Sequence, residues 1–75
     1  MWKTVTPHDT TELVDGPPKC LHIGGGAVLE GSIALIDADG NTAVFFGKQG
    51  DFLPVRPKIV KSTGTTASLN IIALY

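Results

Sequence analysis

Short apolar runs separated by turn residues make up most of this chain, from residue 19 to residue 75. The turns, at residues 24–26, 38–41, 47–51 and 62–68, are rich in small and polar residues. The runs between them are too short for a long helix and are either apolar throughout or alternate with a period of two. Short strands with a turn roughly every 8–12 residues are typical of a sandwich or barrel. We therefore predict an all-β fold: a small antiparallel β-sandwich or jelly-roll-like barrel.

The runs predict strands at residues 19–23, 32–37, 42–46, 52–61 and 69–75. Asp39-Gly40, between the second and third runs, predicts a hairpin, because a type I′ turn needs positive φ at both central positions. The fourth run contains Pro54 and Pro57, which donate no ladder hydrogen bond. We therefore expect that strand at a sheet edge, or with a bulge.

The segment before the first run is polar and bounded by prolines, so we assign residues 1–18 to an extended N-terminal arm and residues 19–75 to a single β-domain. A capping-box pattern at residues 9–12 supports one helical turn at most. We expect the arm to cross the sheet and to dock on another protein or a neighbouring subunit through single apolar residues: Trp2, Val5 and Leu13.

The last predicted strand is apolar on both faces, which a domain of this size does not need for its own core. A chain of 75 residues buries only about 60% of its unfolded surface, so small domains use disulfides, metals or oligomerisation as supplements. A single cysteine excludes an internal disulfide, and 43% of the residues are apolar. We therefore predict a homo-oligomer with this interface: Leu69, Ile71, Ile72, Leu74 and Tyr75.

Charge and hydropathy exclude several classes of partner. The formal net charge of −1 provides no long-range field that attracts nucleic acid or acidic membranes. No apolar run reaches the roughly 18–20 residues of a membrane span, and no signal peptide precedes the first run. We expect no nucleic-acid and no membrane partner, and synthesis in a cytoplasm.

Residues suited to catalysis or metal binding are few. Cys20 and His22 lie two residues apart on one strand, so they share a face, but a small buried cysteine beside a histidine is the commoner explanation. Residues 24–26 are all glycine, yet no lysine or helix follows to hold a phosphate. We expect no catalytic residue, no metal and no cofactor.

A basic edge is the remaining candidate site. Arg56 and Lys58 share a strand face, and with three phenylalanines, at positions 45, 46 and 52, they could form a single-strand binding surface. We prefer to place the aromatic rings in the core and the two basic side chains on a solvated sheet edge, where charge discourages unwanted strand pairing.

Motifs spread along the chain carry a family resemblance. The C-terminal third reads Leu-Pro-Val-Arg at 53–56, Lys-Ile-Val at 58–60, Thr-Gly-Thr-Thr-Ala at 63–67 and Ile-Ile-Ala-Leu-Tyr at 71–75. Upstream are Thr-Pro-His-Asp-Thr-Thr-Glu-Leu at 6–13 and Cys-Leu-His-Ile-Gly-Gly at 20–25. Together they resemble the head spike base proteins of phages, prophages and gene transfer agents.

This resemblance implies a virion structural protein on the capsid surface that oligomerises and anchors a spike or fibre. The implied partners are the major capsid protein, a spike or fibre protein and further copies of the chain, with a pentamer favoured and a trimer as the rival. With these partners, we expect the arm to dock on a capsid protein or a neighbouring subunit. A capsid cement or decoration protein is one alternative. The other, from a different class, is a small β-module that binds glycan or single-stranded nucleic acid, for which the sequence offers few surface aromatics.

Overall fold

Two antiparallel sheets pack face to face in the computed structural model, which describes residues 1–26 and 28–75. The strands are β1 (Trp2–Val5), β2 (Cys20–Ile23), β3 (Glu30–Ile36), β4 (Thr42–Lys48), β5 (Phe52–Leu53), β6 (Ile59–Val60) and β7 (Ile71–Leu74). One sheet has the order β1-β7-β2-β5 and the other β4-β3-β6. The predicted all-β sandwich is confirmed. No helix in the described residues is long and apolar enough to cross a membrane.

The core lies between the sheets and follows the period of two. Alternate residues of β2 and β7 point inward from the four-stranded sheet, and alternate residues of β3 meet them from the other sheet. The central side chains are fully or almost fully buried: Leu21, Ile23, Ile33, Leu35, Val60, Ile71 and Ala73. Burying one large aliphatic side chain contributes roughly 1.5–3 kcal/mol, so this cluster dominates the stability of the fold.

The N-terminal segment begins as a strand of the chain's own sheet. Trp2–Val5 pairs antiparallel with β7, with Trp2 opposite Leu74 and Val5 opposite Ile71. The chain then crosses to the other sheet, where His8 N donates to Val60 O at 2.8 Å and Leu13 N donates to Lys58 O at 3.0 Å. The crossing segment therefore closes one side of the sandwich.

The single long strand predicted at residues 52–61 is wrong. Its first part, Phe52–Leu53, belongs to the four-stranded sheet, and its second part, Ile59–Val60, belongs to the other sheet. Between them Val55 N donates to Leu53 O at 2.8 Å in a tight turn. Pro54 and Pro57 lack ladder donors, and between the two pieces the chain passes from one sheet to the other. Both pieces, β5 and β6, lie at sheet edges, as the prolines predict.

The predicted β3–β4 hairpin is confirmed, but its turn is not type I′. Gly40 has φ +86°, whereas Asp39 does not have positive φ. The Asp37 carboxylate closes the turn instead, accepting hydrogen bonds from Asp39 N and Asn41 N, each at 2.9 Å. These bonds hold the pKa of Asp37 below its ordinary value, the one from Asn41 N being the main cause.

Residues 62–68, which we call the threonine loop, take the place of a strand beside β3. Thr66 N donates to Ser32 O at 2.9 Å, and the hydroxyls of Thr65 and Thr66 accept from Ala34 N at 3.0 Å and Ser32 N at 2.9 Å. Gly64 has φ +90°, and a Cβ on it would lie 3.1 Å from the Ala34 Cβ. The hydroxyl oxygens of the threonine loop thus accept hydrogen bonds from backbone N–H groups of β3. To do so, the loop must pass close to β3.

Candidate docking surface

Cross-strand partners in the four-stranded sheet define one outward face. Trp2 and Cys20 both lie opposite Leu74, while His22 lies opposite Ile72 and Phe52. Directly paired residues project to the same side of a sheet. We call this set the apolar face: Trp2, Cys20, His22, Phe52, Ile72 and Leu74.

No segment within residues 1–26 and 28–75 covers the apolar face. Trp2 is 74% exposed and Phe52 is 62% exposed, and Ile72 and Leu74 between them are half-buried. Thr4 is the remaining strand residue on this side, so no Asp, Glu, Lys or Arg of the four strands interrupts it. Contiguous apolar surface of this kind marks a site of protein interaction.

Lys3 illustrates how charge is kept off this face. It lies opposite Ala73 and therefore projects to the other side of the sheet. Its ammonium is 2.7 Å from the Asp15 carboxylate, and the hydrogen bond between them raises the pKa of Lys3.

The structure narrows the predicted oligomer interface. Leu69 and Ile71 are 6% and 0% exposed and lie in the chain's own core, so they are not available to a partner. The reason is strand alternation, which turns Ile71 inward and Ile72 outward. Tyr75 is half-buried and its hydroxyl donates to Gly16 O at 3.0 Å. Ile72 and Leu74 are the members of that set that reach the apolar face.

The three predicted anchors of the arm have different environments. Val5 is 8% exposed and belongs to the core, and Leu13 packs against that core from the side. Trp2, in contrast, is 74% exposed, and its ring lies on the apolar face. Its backbone pairs with Leu74, and most of its side chain is accessible to solvent.

The expectation that the phenylalanines fill the core is wrong. Phe45, Phe46 and Phe52 are 36%, 62% and 62% exposed. They lie on β4 and β5, which are edge strands of their sheets, and edge strands have fewer neighbours to cover their side chains. The surface therefore carries exposed aromatic rings that the sequence did not predict.

Cys20 and His22 share the apolar face, as their spacing predicts. The His22 ring stacks on Phe52 with centroids 4.5 Å apart and a tilt of 39°. His22 Nδ1 is buried and has no hydrogen-bond partner in the described part of the chain. Within residues 1–26 and 28–75, no three His, Cys, Asp or Glu side chains are grouped to hold a metal ion.

The two residues of the predicted basic edge lie in the connection between β5 and β6 and not on one strand face. Arg56 Nε donates to Pro18 O at 3.2 Å, which ties this connection to the end of the N-terminal segment. Lys58 contributes its backbone, with its N donating to Ile36 O at 2.8 Å.

A cluster around Asp9 was missed by the sequence analysis. Its carboxylate accepts from Thr63 N at 2.8 Å, Thr63 Oγ1 at 2.7 Å and Ser62 Oγ at 3.1 Å. These bonds, first among them the one from Thr63 N, lower the pKa of Asp9 to about 2. The partners are more than fifty residues apart in sequence, so no local pattern could have revealed them.

Comparisons with known proteins place this fold. Neither the scan against protein-family models nor the search of curated proteins found a match. Among solved structures, the chain is similar to a chain in the capsid of a native GTA particle computed with C5 symmetry. The likeness has a TM-score of 0.82 and 29% sequence identity, and it covers 100% of this chain and 81% of the other.

Proposed function

We propose that this chain is a structural protein of a phage or gene transfer agent virion, a head spike base that oligomerises on the capsid surface and anchors a spike or fibre. One observation carries the proposal: the likeness to a chain of a GTA capsid, at 29% identity, extends over the whole length of this chain. The motifs at residues 53–67 and 71–75, which resemble head spike base proteins, support it independently.

The apolar face is the surface through which the chain contacts the capsid. An aromatic side chain presents roughly 150–250 Å², so Trp2 and Phe52 together expose about 200–350 Å² of it. A standard interface buries roughly 800 Å² on each partner. The two rings supply a large part of that area, and the half-buried Ile72 and Leu74 between them make the surface continuous.

The proposed role is structural and not enzymatic. Packing against a capsid uses the outward apolar side chains and needs neither a nucleophile nor a bound cofactor. We therefore expect Cys20 and His22 to contribute contact area and no chemistry. Full assembly of particles with Cys20→Ser and His22→Ala variants would agree with this role.

The direct test is to find the protein on particles. The chain would be tagged in the strain that produces the particles, the particles purified on a density gradient, and the tag located by cryo-electron microscopy with a labelling antibody fragment. We expect the label at the fivefold vertices, beneath the spike or fibre. Absence of the protein from purified particles would refute a virion role.

The same images distinguish a cement protein from a spike base. Cement molecules bridge neighbouring capsomers over the entire shell, whereas a spike base is confined to the places where spikes attach. Label on every capsomer would leave the virion role intact and replace the spike-base assignment with the decoration alternative.

The exposed aromatics favour a second candidate, the glycan or single-strand binding module. Trp2 is the single tryptophan of the chain and is 74% exposed, so its fluorescence reports directly on a ligand at this surface. We expect no saturable change with oligosaccharides or with oligonucleotides. Saturable quenching together with absence from particles would favour the binding module.

A further inference from the structure

Four strands lie at sheet edges in the described residues, and two of them, β4 and β1, are long enough to pair with another chain, since β5 and β6 have only two residues each. β4 is hydrogen-bonded to β3 alone, and β1 is hydrogen-bonded to β7 alone. They lie on opposite sides of the sandwich. The segment crossing from β1 lies beside β6, where His8 N reaches Val60 O, whereas the turn at residues 49–51 joins β4 to β5.

The β4 edge lacks the usual protection against pairing with another chain. Its seven residues match β3 one to one, from Lys48 opposite Glu30 to Thr42 opposite Ile36, so there is no bulge. Residues 42–47 include no proline and no charge, and Lys48 at the end of the strand carries its single charge. Natural proteins blunt a free edge with proline, charge, bulges or a covering segment. An edge this long with one terminal charge is therefore expected to be covered by another chain.

The alternation of hydrogen bonding along β4 shows which of its backbone N–H and C=O groups face away from β3. Asp37 N donates to Asn41 O and Gln49 N to Leu29 O, so odd-numbered residues of β4 direct their backbone groups toward β3. Val44 and Phe46 consequently direct theirs away from the sheet. These two residues also carry exposed side chains, at 63% and 62%.

The β1 edge has the same combination. Tyr75 N donates to Met1 O, so Met1 and Lys3 bond toward β7 while Trp2 and Thr4 direct their backbone groups outward. Trp2 is 74% exposed. On both edges, then, a large exposed apolar side chain belongs to a residue whose backbone is free.

We propose that β4 of one copy pairs antiparallel with β1 of the next copy, joining the three-stranded sheet of one to the four-stranded sheet of the other. In an antiparallel ladder, residues that exchange hydrogen bonds lie directly opposite one another and project to the same side. Trp2 then lies beside Val44 or Phe46 of the next copy. The pairing covers both exposed edges at once.

The area and the topology agree with a second copy as the occupant. Phe46 exposes roughly 100–150 Å² that this contact removes from water, and Trp2, which is shared with the apolar face, adds part of its ring. A stable interface buries roughly 800 Å² on each partner, so the contact must also bury the added ladder and neighbouring side chains. Because the two edges differ, the contact is head to tail, and such contacts close into rings or continue as filaments. The choice of a ring rests on the proposed function.

Proline variants test the contact without touching the intrachain ladder. Val44→Pro and Thr4→Pro each remove one outward N–H, and edge strands tolerate proline. Native mass spectrometry of the unmodified chain should show a cyclic oligomer. Each variant should raise the dissociation constant of its contact about tenfold or more. Val44→Thr and Thr4→Val keep the N–H and are the matched controls.

Mixing the two variants gives the decisive result. Val44→Pro keeps an intact β1 edge and Thr4→Pro keeps an intact β4 edge, so the mixture should form a heterodimer that neither variant forms alone. Loss of assembly with Val44→Pro but not with Thr4→Pro would indicate β4–β4 pairing and overturn the proposal. A monomeric unmodified chain would overturn it as well.

Hydrogen exchange covers the case in which a proline variant does not fold. In the unmodified oligomer the amides of Val44, Phe46 and Thr4 should exchange slowly, although none has a ladder partner within its own chain. Fast exchange of these amides in the oligomer would overturn the edge pairing. Detection on particles is a separate measurement. Failure of the edge pairing would not argue against the virion role, and absence from particles would not argue against the edge pairing.

Discussion

At the scale of single residues, one carboxylate joins the two ends of the chain. Asp9, in the crossing segment, binds Ser62 and Thr63 of the threonine loop through three hydrogen bonds. Hydrogen bonds to an ionised acceptor are stronger than neutral ones. Asp9 therefore holds the crossing segment against the loop that lines β3, although both are exposed to solvent.

Asp9→Asn should lower the melting temperature by a few degrees at neutral pH. The pKa of Asp9 is lowered from 3.8 to about 2, so its contribution is complete above pH 3.8 and is lost as the pH falls toward 2. Thermal melts by circular dichroism across this range would show the two proteins converging at the acidic end. Asp39→Asn, at the exposed hairpin turn, is the control. A constant difference between Asp9→Asn and the unmodified chain at all pH values would contradict this assignment.

Ile71 and Ile72 form a natural pair of variants, since they are neighbours that face opposite ways. Ile71→Asp places a charge where the side chain is 0% exposed, at a cost of several kcal/mol, and should prevent folding. Ile72→Asp places it on the apolar face and should leave the fold intact while removing the protein from particles. Circular dichroism and gradient-purified particles measure the two effects. If Ile72→Asp loaded onto particles at the normal level, the apolar face would not be a contact surface of the assembly.

At the scale of elements, the threonine loop takes the place of a strand beside β3. It follows β6 and runs beside β3, where a further strand would otherwise pair. Thr65 makes two bonds there, accepting from Ala34 N and donating to Lys61 O. The motif Thr-Gly-Thr-Thr-Ala, which carries much of the family resemblance, is thus explained by a structural need.

Thr65→Val keeps the shape of the side chain and removes both bonds. Ala34 is 2% exposed, so its N–H would be left buried and unpaired, at a cost of about 1–3 kcal/mol. Urea unfolding measures the loss, with Thr11→Val, at an exposed position, as the control. Equal stability of the two variants would show that water replaces the Thr65 hydroxyl.

At the scale of the whole molecule, the N-terminal segment is tied to both sheets, through β1 in one and through the backbone bonds of His8 and Leu13 to the other. Deleting residues 1–14 removes the strand that pairs with β7, the core residue Val5 and the Asp9 contacts. We expect the truncated chain to unfold or aggregate, as judged by its NMR amide dispersion. Trp2→Ala in the full chain should keep its melting temperature and weaken assembly, because Trp2 is 74% exposed. A well-folded truncated chain would instead show that residues 1–14 form a separable arm.

The molecule presents two kinds of surface for assembly. The apolar face is proposed for the capsid and the two free edges for the neighbouring copies, and Trp2 lies where they meet. The proposed role requires contact with a shell and with further copies, and the apolar face and the free strand edges are the surfaces proposed for these two contacts.

The sequence by itself determined what depends on local chemistry. The all-β class, the β3–β4 hairpin and the alternation of Ile71 and Ile72 follow from turn residues and the period of two, which act over a few residues. Ile72 and Leu74 were predicted as interface residues together with Leu69 and Ile71, because both faces of the strand are apolar and local pattern does not tell which face turns inward. The pairing of Leu74 with Trp2 was not predicted, because it depends on β1 joining β7 from the far end of the chain.

Only the tertiary structure decided what depends on distant partners. The run at residues 52–61 has strand composition throughout, yet it divides between the sheets, because Leu53 pairs with β2 and Ile59 with β3. The exposure of Phe46 depends on β4 being an edge, and the role of Asp9 on a loop more than fifty residues away. Strand order and cross-sheet contacts are set by the packing of the whole core, which no local pattern encodes.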